Sequence, residues 1–248
     1  KCNPSTELES DLIESLKILY HVDTEKVTRD SLYAEYYEKL SEKYPENEDV
    51  KAFYALSVLG SVPGGRDPVK YAKAGKIAEE VVENHPKHPG GLHYLIHAYD
   101  DPKNAEKALD AAYTYAEVAP AASHALHMPS HIFVAKGLWD EVVRSNEESY
   151  AASVARMKRQ NLTNDARGYH SYHWLEYGYL QQGRVGDAKE LIKDLVSYVE
   201  ETPSTRGRTH LVYLKGTFLA ETMNYDSPVS DIEVEVEDLN ISTKAKYY

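Results

Sequence analysis

Apolar residues recur along most of this chain at intervals of three and four, a spacing that gathers them on one face of a helix. Leu12, Ile13, Leu16 and Leu19 form such a stripe in a first helix over 5–19, and Leu32, Tyr33, Tyr36, Tyr37 and Leu40 form one in a second over 29–44. Short Pro, Gly and Asp turns then separate paired helices: 49–59 with 68–84 around a 60–67 loop, 91–99 with 103–118, 124–135 with 139–157, and 168–182 with 185–199. A last helix is predicted over 206–223. Met128-Pro129 falls in the first turns of its helix and predicts a kink that tilts His124 relative to His131. One stretch departs from the helical period. Asp231-Ile-Glu-Val-Glu-Val-Glu237 alternates apolar and acidic residues, which predicts a short strand or extended linker inside an inter-helix insertion over 226–243.

Paired helices at near-constant spacing call for a repeat test. His93 and His127 lie 34 residues apart, as do His97 and His131. Leu175, Tyr179, Gly183 and Ala188 supply in one unit the packing residues, turn glycine and small residue of a helical hairpin, and Leu126, Phe133, Gly137, Trp139 and Val142 repeat the pattern before it. Tyr99, Ala108, Ala112 and Pro120 do so earlier still, and Ala74, Ala78 and Pro86 match a unit with an enlarged turn. The chain resembles the tetratricopeptide (TPR) repeat family, specifically over 89–199 and more loosely over 49–88 and after 205. Three runs, His93-Tyr-Leu-Ile-His-Ala-Tyr-Asp-Asp-Pro102, His124-Ala-Leu-His-Met-Pro-Ser-His-Ile-Phe133 and Trp174-Leu-Glu-Tyr-Gly-Tyr-Leu-Gln-Gln-Gly183, are similar to those of a bacterial family of TPR-containing proteins. The resemblance implies an all-α fold, a right-handed α-α superhelix of antiparallel helix pairs, with repeat units over 49–88, 89–122, 123–168 and 169–205 in one array over 1–248. It implies a longer parent chain as well, which agrees with a first residue that is not Met and a final Lys244–Tyr248 run that reads as the opening of another helix. It carries no chemistry of its own.

Composition narrows the partners. Forty acidic against 28 basic residues leave a net charge of −12, which disfavours nucleic acid and anionic membrane. Cys2 is the one cysteine, so neither an intrachain disulfide nor a thiolate-rich metal site is available. No apolar run approaches the roughly 20 residues of a membrane span.

The histidines change the picture most. In a TPR array the first helix of each pair lines the concave face. With Gly137 and Gly183 as turn glycines, His124, His127 and His131 take the second, fifth and ninth places of one unit, and His170, His173 and Tyr177 take the same places in the next. His93 and His97 fall on the fifth and ninth places of the preceding unit, with Asp100 and Asp101 on the twelfth and thirteenth, and His210 falls on a second place if Tyr225 is the last turn aromatic. Eight of the eleven histidines thus lie on groove-facing places. Spacings of three and four put each pair on one helix face, the spacing with which imidazoles chelate zinc, copper, nickel or iron. The expected metal nucleus is His93, His97, His127 and His131, with His124, His170, His173, His210, Tyr177, Asp100 and Asp101 as further ligand-binding residues. Trp139 and Trp174 sit on consensus packing places and are expected in the core. No metalloenzyme or nucleophile-elbow motif is present. The leading expectation is therefore a groove that captures a peptide, partner protein or small ligand, possession of a transition metal being open. A metal-dependent enzyme and a scaffold whose histidines merely pack are the alternatives.

Overall fold

The structure is a computed structural model that describes residues 3–248; Lys1 and Cys2 lie outside the described residues. It is all-helical, with no strand among the described residues. The helices gather into two compact units, the first ending at Val118 and the second running from Ala119 to Tyr248. No helix among the described residues is long and apolar enough to cross a membrane.

In the first unit, α1 (Glu7–Leu19) starts at a capping box between Thr6 and Glu9. α2 (Lys26–Lys43), α3 (Glu48–Gly60), α4 (Pro68–Asn84) and α5 (Pro89–Tyr99) follow. Asn47, Asp67 and His88 cap the last three through their side chains, and Pro68 and Pro89 open their helices where a missing N–H costs nothing. The helix expected from 103 begins instead as a tight 3₁₀ turn, Ala105–Ala108, before α6 (Leu109–Val118). Tyr33, Tyr37, Leu40, Val50, Tyr54 and Val58 form the core of this unit.

The second unit contains α7 (Ser123–His127), α8 (Pro129–Lys136), α9 (Trp139–Arg159), α10 (Tyr169–Gln181), α11 (Val185–Glu201), α12 (Thr205–Thr222) and α13 (Ile241–Tyr247). At Pro129, where the sequence predicts a kink, the helical hydrogen-bond ladder is interrupted between α7 and α8, while Met128 at the junction keeps helical dihedrals, φ −52° and ψ −38°. Proline has no N–H to give to the preceding turn, and His131 N–H bonds the Met128 carbonyl three residues back, at 3.2 Å. Gly137 and Gly183 close α8 and α10 in the left-handed region, with φ of 69° and 73°. At both, the next residue's N–H reaches back five residues, Leu138 to Phe133 at 2.9 Å and Arg184 to Tyr179 at 2.8 Å. The turn glycines inferred from the sequence are helix stops of one kind.

The alternating segment 231–237 forms neither strand nor helix. Val234 and Val236 turn into the core of the second unit while the glutamates stay outside. Arg208 holds it by donating to the Glu235 carbonyl at 2.6 Å and, through both nitrogens, to the Asp238 carboxylate at 2.7 Å. The period of two was a burial pattern without a partner strand.

Candidate metal centre

α7, α8 and α10 bring three imidazoles together. The ligand-capable nitrogens of His127, His131 and His170 lie within 4.8 Å of one another, His127 being buried, His131 half-buried and His170 exposed. Ring centroids are 5.2 Å apart for His127 and His131 and 4.6 Å for His127 and His170. The cluster is graded from core to solvent.

The buried member is oriented by the helix behind it. Asn146, wholly buried on α9, donates from Nδ2 to the Val142 carbonyl at 2.8 Å, which leaves its Oδ1 facing His127. His127 Nδ1 lies 2.7 Å from that oxygen. Because Oδ1 can only accept, Nδ1 carries the proton and Nε2 keeps its lone pair. His127 Nε2 is buried and has no hydrogen-bond partner. Burial, the largest influence, pushes the His127 pKa down to about 3 against the bond to Asn146, with the neighbouring imidazoles of His131, His170 and His124 lowering it further. The ring is therefore neutral and aims a bare lone pair.

The indole of Trp174 forms an aromatic wall, 4.5 Å from His131 and 5.1 Å from His127 by centroids. It is half-buried, and its contacts make it part of the site rather than only of the core expected for it. Trp139 meets Tyr177 edge-on at 5.7 Å. Partial desolvation of these surface-exposed rings also lowers the pKa of His170, and of His124, which stands 6.5 Å from His127 between ring centroids.

No family model matches the chain. Nor does any curated protein match it. The site must be read from its own geometry.

The remaining predicted residues separate into three settings. His93 and His97 lie on α5 in the first unit, their Nε2 atoms 3.1 Å apart. Asp101 in that unit takes Arg66 at 2.8 Å and the Asn104 amide, tying down the turn after α5, while the backbone carbonyl of Asp100 receives Arg66 at 3.1 Å. His173 and Tyr177 line a cleft of about 530 Å³ in the second unit, bounded by α8, α10, α12 and α13, with Trp174 also in its wall. His173 is paired with the Thr217 hydroxyl at 2.8 Å, and burial pushes its pKa down to about 4. His210 donates from Nδ1 to the Arg206 carbonyl at 2.9 Å and packs between Tyr169 and Tyr213.

Two residues that matter here escaped sequence reading. Asn146 interrupts the apolar stripe begun by Val142 and Val143, a polar residue on a buried face, and that was the only available sign of it. Glu176 is wholly buried on α10, both carboxyl oxygens lack a partner, and desolvation raises its pKa well above the usual carboxylate range.

Proposed function

We propose that the second unit is a transition-metal-binding module of a TPR-type binding protein, with His127, His131 and His170 as ligands and one coordination position left for a donor atom from outside. The observation that carries this reading is the orphaned Nε2 of His127. Burying an imidazole nitrogen without a partner costs about 1–3 kcal/mol. Here the surrounding helices hold the ring in the tautomer that ligation through Nε2 requires, beside two more imidazoles. A metal-ligating imidazole almost always donates its other ring N–H to a fixed oxygen acceptor, and the Asn146 amide oxygen fills that place here. Three imidazoles suit zinc, copper, nickel or iron, and three protein ligands with an open fourth position is the pattern of zinc sites that engage a substrate or water. Zinc–nitrogen bonds of about 2.0–2.1 Å would require the three nitrogens to draw in to roughly 3.3 Å of one another. The exposed His170 and the half-buried His131 have room for that adjustment.

Support for the TPR-type arrangement comes from the packing of helices on sequence neighbours and on alternate partners, α3 with α5 and α10 with α12, and from the paired glycine stops. Its function class is ligand capture rather than a named reaction.

The test is metal content of protein purified without an affinity tag, followed by zinc and copper titration against a competing chelator. About one equivalent of metal, lost in His127→Ala and His170→Ala, is the expected result. Dissociation constants weaker than about 10 μM for both ions, unaffected by these substitutions, overturn the reading.

A further inference from the structure

The cleft beside Trp174 has the size of a small-molecule site. Its walls present three aromatic surfaces, Trp174 and Tyr177 from α10 and Tyr213 from α12. Its lining also includes Gly216, in the interior of α12. A helix interior favours alanine over glycine, because glycine loses more backbone freedom on folding. Packing does not account for the exception. A Cβ added at Gly216 meets nothing closer than the Lys246 carbonyl oxygen at 3.9 Å, an ordinary contact, whereas one at Gly178 on α10 lands 2.9 Å from Val143. Gly178 is required by the neighbouring helix. Gly216 leaves space that the cleft uses.

The polar groups are few. His173 and Thr217 are paired with each other, and the Glu221 carboxylate accepts from the Gln181 amide at 2.7 Å. Lys246 holds its ammonium 4.2 Å over the Tyr213 ring and has no ion-pair partner among the described residues. It is the one lysine in the lining of the cleft.

We propose that this cleft binds a small molecule with a planar aromatic ring and a carboxylate. The ring lies among Trp174, Tyr177 and Tyr213 over Gly216, and the carboxylate meets Lys246. Gly216 sets the specificity by admitting the ring's thickness. The proposal is independent of the metal reading, with which it shares only the Trp174 indole.

Calorimetric titration of the chain with indole-3-acetate, in chelator and again with zinc, tests it. One saturable site is expected, with indole-3-acetamide weaker by roughly fivefold and Gly216→Leu weaker by at least about tenfold. Gly216→Leu should keep its helical content, melting temperature and zinc uptake, and Lys246→Met, at an exposed position, should bind the acid no better than the amide. His127→Ala should lose zinc and retain the ring ligand, so the failure of one reading is distinguishable from failure of the other. Absence of saturation below about 5 mM, or unchanged affinity in Gly216→Leu, overturns the ring site. Equal affinity for acid and amide overturns the role of Lys246.

Discussion

In the first unit, His93 and His97 stand four apart on the unbroken helix α5, and their Nε2 atoms face each other at 3.1 Å. His93 also stacks on Tyr94 and Tyr115, each 5.4 Å away between centroids. In the second unit, His127 and His131 have the same spacing, but Pro129 interrupts the helical hydrogen-bond ladder between them and their rings stand at 75° to each other. Asn146 takes the inner nitrogen of His127, and His170 supplies a third imidazole from another hairpin. In one pair the two rings meet each other; in the other, His127 keeps a buried Nε2 without a hydrogen-bond partner. The lesson is that chelating spacing on a single helix provides half a site at most. The tautomer lock and the third donor come from helices distant in sequence.

That contrast is broken most directly by removing the buried ligand. His127→Ala is expected to weaken zinc by more than about a hundredfold in chelator competition, while His97→Ala changes it less than about twofold. If His97→Ala costs as much as His127→Ala, the two pairs are not different in kind. Next in size, Asn146→Leu keeps every ligand yet unfixes the ring. Zinc affinity should fall roughly 10–100-fold, and urea unfolding should show a loss of about 1–3 kcal/mol from the stranded Nδ1–H. Unchanged affinity would mean the lock does not matter.

Acid titration sharpens the comparison further. His127 and His173 have folded pKa values of about 3 and about 4, below the unfolded imidazole value of about 6.5. A depressed folded pKa gives stability that is complete above the unfolded value and lost as pH falls toward the folded one. Metal-free protein should therefore lose up to about 1.4 kcal/mol per pH unit for each group between roughly pH 6.5 and pH 4. His173→Gln should make that slope shallower in denaturant unfolding across the range. Glu176 has the opposite sign. Its raised folded pKa withdraws stability as pH climbs past the unfolded carboxylate value of about 4.3. Glu176→Met should accordingly gain about 1–2 kcal/mol at neutral pH, the smallest effect of the set, with the gain shrinking toward pH 4. A gain that is independent of pH would rule out the carboxyl's charge as its source.

Much of the scaffold was legible because its signals are local. The apolar stripes, the stops at Gly137 and Gly183 and the interruption at Pro129 each act over a turn or two of chain. The alternating segment left two readings, and the extended linker between helices is the one that formed: alternation reports which side chains are buried, and without a neighbouring strand it makes no sheet. Histidine register was equally legible, since a 34-residue spacing needs only counting.

What the chain determined alone was helices, their ends, and a repeated placement of imidazoles along them, because hydrogen bonds within a helix and the period of its side chains depend on near neighbours. Tertiary structure decided which imidazoles share a centre, that Asn146 commits the His127 proton, and that Trp174 borders both this centre and a cleft. Those outcomes depend on how α9, α10 and α12 pack, over separations of 19 to 44 residues, and side-chain contacts across such distances leave no periodic trace in sequence.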